Sequence, residues 1–320
     1  MKQSIIYMAA FFITFSTLFI SCDNDKKDKD YEKVLKERDI DHGKYLVTSV
    51  AGCLDCHSTR QFEYFSGPVK PGTEGMGGQL FNHENIGMPG NVYSRNITSD
   101  TATGIGNWTD DEIYKTITTG INKNGDTLFP LMPYHNLNQV AKKDLLDIIA
   151  YIRTLPPISN KVAPRQLMIP ISMVYAPPKN KNQDSIVVPD MTDKVKYGAY
   201  LVNMVDCYAC HTPMNEKGEY TAAFSGGMQF KADKFTVFSA NITPDSATGI
   251  GSWNETKFLN KFASYRDLSN IMLDPGKKNS YMPWSVFATM NDVDLSAIYA
   301  YLRSLPPINH KVDKYPPDVK

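Results

Sequence analysis

The chain has no surplus of charge of either sign: thirty-four Lys and Arg stand against thirty-four Asp and Glu. A nucleic-acid binder would show a basic excess, so no nucleic-acid partner is expected. Cysteine is scarce, with five in 320 residues. The apolar stretch from Ile5 to Ile20 is short of the roughly 20 residues that a membrane helix needs. Strand-like alternation is weak throughout. What remains is the composition of a folded soluble protein, 42% hydrophobic and 21% charged. Its length suits two ordinary domains, each with its own core.

The short apolar stretch follows Lys2 and ends at Ser21-Cys22, the layout of a signal peptide. Leu18-Phe19-Ile20-Ser21-Cys22 resembles a bacterial lipoprotein cleavage box, although Phe19 is bulkier than the usual aliphatic residue. Residues 1–21 are therefore read as a lipoprotein-type signal with Cys22 as the acylated residue; an ordinary cleaved signal and an uncleaved anchor are the alternatives. Each places the remainder outside the cytoplasm, on the periplasmic side or at the cell surface of a bacterium. Residues 22–40, rich in Lys and Asp, read as a solvated tether.

The other four cysteines fall in two pentapeptides, Cys53-Leu54-Asp55-Cys56-His57 and Cys207-Tyr208-Ala209-Cys210-His211. C-x-x-C-H is the attachment signature of c-type haem: two thioethers to the porphyrin and a proximal histidine on the iron. Two covalent haems c are expected, and no cysteine is left for a disulfide. The rival reading, a four-thiolate zinc site, usually draws on pairs closer in sequence and leaves both histidines unexplained.

The chain also aligns with itself. Gly43-Lys44-Tyr45-Leu46-Val47 matches Gly198-Ala199-Tyr200-Leu201-Val202. Residues 94–108 match 239–253 at eleven of fifteen positions, and 150–162 match 300–312 at nine of thirteen. Each half reads as a short helix (about 41–52 and 195–206), a Gly-rich irregular stretch, a helix after Trp108 or Trp253, and a closing helix (about 142–154 and 292–304). Thr109 to Glu112 supply a cap and first-turn acids, and Asn291 with Asp294 resembles a capping box. Leu145, Ile148, Ile149, Ile152 and Leu155 share one face at helical spacing. Leu155-Pro156-Pro157 and Leu305-Pro306-Pro307 stop the closing helices.

Small helices around a flat porphyrin, with little strand, describe an all-α chain of two tandem class I cytochrome c-like domains. The domains expected are 41–158 and 193–312, joined by a Pro-rich linker at 159–192 lying along both, with a tail at 313–320. In that fold the first and last helices cross. Gly43 and Gly198 would allow a close approach opposite Tyr151 and Tyr301; ordinary core contacts are the plainer reading.

The repeat filters the iron ligands. Of six histidines only His57 and His211 are equivalent, and of fourteen methionines only Met132 and Met282. His42 aligns with Tyr197, His135 with Ser285 and His310 with Asn160. Met132-Pro133-Tyr134 and Met282-Pro283-Trp284 lie just ahead of the closing helices, where this fold puts its distal ligand. The pairs expected are His57/Met132 and His211/Met282, with His135 able to compete at the first haem. His/Met ligation raises the potential and fills both axial positions, so such a haem passes electrons rather than doing bond chemistry. Asn96, Thr98 and Trp108, repeated as Asn241, Thr243 and Trp253, are candidates for propionate contacts; turn formation is the alternative.

The blocks NITSDTATGIGNW and NITPDSATGIGSW, the Met-Pro-aromatic triplets, and AYIRTLPP and AYLRSLPP resemble one family. It is the multi-haem cytochrome c subunits of membrane-associated alcohol, gluconate and related dehydrogenases of bacteria, over residues 41–158 and 193–312. The resemblance implies electron relay from a separate dehydrogenase donor to quinone, a terminal oxidase or another acceptor. Two departures stand out: two haem motifs where those subunits commonly have three, and an N-terminal lipid anchor holding the chain to a membrane. A free-standing carrier therefore stands beside a dehydrogenase subunit. A di-haem peroxidase, or another haem oxidoreductase, would need one iron with an exchangeable sixth position; a haem-based sensor has no signalling module attached.

Overall fold

The computed structural model describes residues 38–179, 183–215, 218–267 and 271–316. The signal segment 1–21, Cys22 and the tether as far as residue 37 lie outside the described residues. The tether's last residues belong to the fold. Arg38 pairs with Asp110, and the Asp39 amide donates to Asp147 Oδ1 at 2.9 Å.

Asp39 caps helix α1 (Ile40–Tyr45), accepting from the His42 amide at 2.9 Å, and the helix runs on as a π-helical segment, Leu46–Val50. One helical turn, α2 (Cys53–Cys56), carries the first cysteine pair. A loop leads to strand β1 (Leu80–Phe81), helix α3 (His83–Ile86) and strand β2 (Gly90–Tyr93). Helix α4 (Asp110–Thr119) opens on a capping box between Thr109 and Glu112, as the sequence indicates. Helices α5 (Tyr134–Leu137) and α6 (Lys142–Ile152) close the first half.

The connector contributes strand β3 (Gln166–Leu167), which pairs antiparallel with β2. The second half then repeats the order: α7 (Lys194–Val205), α8 (Cys207–His211), β4 (Gln229–Ala232), β5 (Phe235–Phe238), α9 (Glu255–Ala263), α10 (Trp284–Phe287) and α11 (Asp292–Ser304). Asn291 caps α11 by accepting from the Asp294 amide at 2.8 Å.

The strands correct the all-α expectation. Each half closes its glycine-rich stretch with an antiparallel hairpin, and β4 and β5 turn over Asp233-Lys234 with Ala232 opposite Phe235. The strands are two to four residues long, too short for an alternation to stand out. The second hairpin has no Gly or Asn in its two-residue turn. The hairpin's apolar face is real: Phe230, Phe235 and Val237 are buried together, against Phe62 and Ile86 from the first half.

Helix α1 packs on α6, and α7 on α11. A Cβ added to Gly43 would lie 1.9 Å from the Asp147 carbonyl oxygen and 3.2 Å from Tyr151 Cβ. At Gly198 it would lie 1.9 Å from the Ala297 carbonyl oxygen and 2.9 Å from Tyr301 Cβ. Only a residue without a side chain fits either crossing. Leu145, Ile148, Ile149, Ile152 and Leu155 are all buried, as their spacing requires.

Residues Arg38–Lys320 fall in one compact unit, so the halves are not loosely strung. They meet through equivalent elements, and Asn136 and Asn203 exchange side-chain-to-carbonyl bonds, each 2.9 Å. The connector lies along the first half: Ala163 accepts from Arg95 at 3.0 Å, Tyr175 donates to the Thr119 carbonyl at 3.0 Å, and Arg165 donates to the Thr127 carbonyl. The tail's first residues continue the second half, where Phe238 donates to the Lys314 carbonyl at 3.1 Å.

Candidate functional site

The helical turns α2 and α8 put Cys53 and Cys56, and Cys207 and Cys210, three residues apart on one face. The chain enters each turn through a left-handed residue: Gly52 at φ 59° and Asp206 at φ 59°. Asp tolerates that conformation, and the Asp206 carboxylate accepts from the Ala209 amide at 3.4 Å.

Cys56 and Cys210 are exposed, and Cys53 and Cys207 are half-buried, with protein packed closely enough around all four to desolvate their thiolates. That enclosure pushes the thiols of Cys53, Cys56 and Cys207 up to about 12, and Cys210 also upward. Asp55 and Asp206 also push the Cys56 thiol upward, and Asp206, Cys207, Cys56 and Asp55 do the same to Cys210. Among the described residues, the one group of three His, Cys, Asp or Glu ligand atoms within 4.8 Å is His42, Asp144 and Asp147. The four thiols do not gather as a tetrathiolate zinc site requires.

Each motif histidine is held the same way. His57 Nδ1 lies 2.6 Å from the Arg95 carbonyl and His211 Nδ1 lies 2.7 Å from the Ala240 carbonyl. A carbonyl only accepts, so Nδ1 carries the proton and Nε2 keeps a free lone pair. Burial lowers both pKa values, which keeps the rings neutral. A neutral imidazole oriented by a carbonyl is the form that binds iron. A turn bearing two thiols and then such a histidine fits a c-type haem.

Arg95 and Ala240 immediately precede the repeated Asn-Ile-Thr blocks, and the structure ties these blocks to the histidines. Gly77 and Gly226 donate their amides to the carbonyls of His57 and His211 at 2.8 and 2.7 Å. A Cβ on Gly77 would lie 2.5 Å from the Arg95 carbonyl carbon, and one on Gly226 2.4 Å from that of Ala240. This close approach was not read from the sequence; the repeat itself was the available signal.

Asn96 accepts from the Thr98 amide and hydroxyl at 3.0 and 2.7 Å, and donates to Thr103 Oγ1 and the Ile158 carbonyl at 3.0 and 2.8 Å. Asn241 does the same with Thr243, Thr248 and Ile308. Both amide hydrogens and both oxygen lone pairs are thus engaged within the protein. The turn reading accounts for Asn96, Thr98, Asn241 and Thr243. These residues lash the loop to the chain that follows the closing helix. Trp108 and Trp253 are half-buried, with Lys123 Nζ 5.4 Å and Lys257 Nζ 4.9 Å from their rings.

Met132 and Met282 form matching turns. Tyr134 donates to the Met132 carbonyl at 2.7 Å and Trp284 to the Met282 carbonyl at 2.9 Å, and helices α5 and α10 start from the intervening prolines. Both methionines are half-buried, whereas Met290 is 2% exposed and shares its core position with Val140 of the other half, at 0%. Of the other histidines, His135 lies against Tyr134 with ring centroids 4.5 Å apart, and His83 is exposed. His310 Nδ1 bonds the Ser225 carbonyl at 3.0 Å, the place that Asn160 fills against Met76 at 2.9 Å.

Residues 195–306 match the family model described as cytochrome c. The chain is 28% identical over 284 residues to the gluconate 2-dehydrogenase cytochrome c subunit of Pantoea cypripedii, covering 83% of this chain and 59% of that one. It is 30% identical over 283 residues to the fructose dehydrogenase cytochrome subunit of Gluconobacter japonicus, covering 83% and 52%. A diheme cytochrome c-type protein of Cereibacter sphaeroides is 26% identical over 268 residues, covering 80% and 83%. The chain thus spans little more than half the length of the dehydrogenase subunits it matches. The second half carries a cytochrome c domain, a family that holds covalent haem c, and the chain as a whole resembles the cytochrome c subunits of bacterial dehydrogenases.

Proposed function

We propose that this chain is a di-haem electron carrier built of two cytochrome c units, taking electrons from a dehydrogenase and passing them to an oxidase or another acceptor outside the cytoplasm. The observation that carries the reading is the duplicate histidine geometry: each Cys-x-x-Cys-His motif ends in an imidazole whose Nδ1 is committed to a backbone carbonyl. Cys53 and Cys56, and Cys207 and Cys210, would hold the two porphyrins by thioether bonds. His57 and His211 would take the proximal positions, and Met132 and Met282 the distal ones. The haems, when bound, supply one-electron redox chemistry. The protein orients the histidines, presents the thioethers and keeps both rings neutral.

The propionate contacts expected from sequence narrow to the indole N–H groups of Trp108 and Trp253. Attachment to a membrane is assigned to a lipid on Cys22, supported by the cleavage-box sequence. No helix among the described residues is long and apolar enough to cross a membrane. The named activities of the relatives support a dehydrogenase as the donor.

Mass spectrometry of the mature protein tests the core of this reading. Two covalently added porphyrins are expected, one of them lost when both Cys207 and Cys210 are replaced by Ala. Finding none, or only one in the unaltered protein, overturns the reading.

A further inference from the structure

The halves are alike, but the loop after the first histidine is longer. Gly77 follows His57 by 20 residues, whereas Gly226 follows His211 by 15. The loop closes on itself where Arg60 pairs antiparallel with Val69, and its tip reaches the other half. Residues 63–65 run antiparallel to 272–274 of the second half, with Phe65 donating to the Met272 carbonyl at 2.9 Å and Asp274 to the Glu63 carbonyl at 2.7 Å.

At the end of this loop Ser66 reaches the Met282-Pro283-Trp284 turn. Its hydroxyl donates to the Met282 carbonyl at 2.8 Å and accepts from the Trp284 amide at 2.7 Å, bridging both ends of the turn. Asn279 secures the loop, accepting from the Ser66 amide at 2.8 Å and donating to the Phe62 carbonyl at 2.8 Å. Arg60, 9% exposed, donates to the carbonyls of Ser66, Gly67 and Tyr281 at 2.7, 3.0 and 3.0 Å. Its guanidinium carbon lies 4.5 Å from the Phe62 ring and 5.1 Å from the Tyr281 ring. Paired with Asp55 of its own half at 3.2 Å, the buried guanidinium shapes the loop through Ser66 and Gly67 and crosses the seam through the Tyr281 carbonyl, where a slip would leave buried donors without an acceptor.

We infer that Ser66, Arg60 and Asn279 are positioning residues for Met282, so that the first half holds the distal sulfur of the second haem in place. This rests on Met282 being that haem's ligand. The first methionine turn is steadied differently, by its own half and by the connector, where Arg165 bonds the Thr127 carbonyl. Among the described residues, no side chain of the second half bonds the Met132 carbonyl or the Tyr134 amide as Ser66 bonds Met282 and Trp284; the second half reaches helix α5 further on, through Asn203 and Asn136.

Ser66 sits at φ 69°, where glycine is at ease, so Ser66→Gly removes the hydroxyl without straining the loop. In the purified di-haem protein this variant is expected to lose the second haem's share of the ferric sulfur–iron band and to lower one of two midpoint potentials. General loosening would move both potentials. Met282→Ala is measured in parallel. If it removes that share of the band while Ser66→Gly leaves band and potentials unchanged, the clamp is overturned and the ligand stands. If Met282→Ala changes nothing, the ligand assignment falls, and the clamp with it.

Should Ser66→Gly fail to fold, hydrogen exchange on the reduced unaltered protein decides. The amides of Ser66 and Trp284 are expected to exchange slowly and together. Rapid exchange at Trp284 overturns the clamp.

Discussion

Tyr45 of the first half donates its hydroxyl to Asp294 of the second at 2.5 Å, and the same oxygen accepts from the Asn291 amide at 3.2 Å. The arrangement recurs with the halves exchanged. Tyr200 donates to Asp144 at 2.6 Å and accepts from the Ala141 amide at 3.1 Å. Tyr45 and Tyr200 are equivalent in the repeat, as are Asp294 and Asp144. Each first helix therefore reaches across to the start of the other half's closing helix, tying its first turn to the partner half.

Replacing these tyrosines is expected to weaken the seam unequally. Asp294 keeps a second donor, the Tyr197 hydroxyl at 2.9 Å, whereas Tyr200 is the donor to the buried Asp144. Removing one partner of a buried polar pair costs about 1–3 kcal/mol. Tyr200→Phe should fall at the upper end and Tyr45→Phe at the lower, read as denaturant midpoints of the holoprotein. Equal losses would mean that Tyr197 contributes nothing.

Gly43→Ala and Gly198→Ala each drive a methyl group into a backbone carbonyl, which cannot move aside as a side chain would. The helices must separate, at a cost of at least about 2 kcal/mol. Thermal unfolding should show a large loss for either variant. The control Gly125→Ala, whose added Cβ meets nothing within 4 Å, carries only the strain of φ 86°.

If Met132 and Met282 ligate iron, substituting either by Ala should lower one midpoint potential by something on the order of a tenth of a volt, within the roughly 0.8 V that axial ligands span. The matching sulfur–iron band should go with it. The unaltered ferrous protein should bind carbon monoxide poorly at both haems. Ready binding at one haem would favour a peroxidase-like site with an exchangeable sixth position.

His42 gives a pH dependence of defined sign. Its Nδ1 lies 2.8 Å from Asp147 Oδ2, and that bond raises its pKa above the ordinary 6.5. A group raised in the folded state stabilises fully below pH 6.5 and loses that contribution as pH climbs through the raised value. Burial alone would raise Asp147, but bonds from His42, Lys143 and the Asp39 amide outweigh it and hold it below 3.8. Its contribution is present above 3.8 and lost as pH falls through the depressed value. The stabilisation should therefore be largest between pH 3.8 and 6.5. His42 is 38% exposed, so screening holds it below about 1 kcal/mol. Urea midpoints of the unaltered protein and His42→Asn should differ more at about pH 5.5 than at about pH 8.5.

Much of this architecture was legible in the sequence because it is written twice. The start of α4 followed from its cap, the extents of α6 and α11 from caps, apolar spacing and the Pro-Pro stops, and the glycine crossings from Gly43 and Gly198. The hairpins were not legible, since strands of two to four residues leave no periodicity. For Asn96 and Asn241 the sequence leaves contact with a propionate and turn formation both open. Their bonds run inward, to the chain after the closing helix. The seam was out of reach for a different reason. Nothing local in Tyr45 says that its partner lies 249 positions away.

The reciprocal contacts of Tyr45 and Tyr200 are of the kind expected in a two-fold dimer, where one surface patch serves both partners. Here both partners belong to one polypeptide, so dilution cannot part them. Joined copies are also freed from remaining identical. One carries a longer loop that reaches into its neighbour, which a strictly symmetric pair could do only by making the same excursion twice.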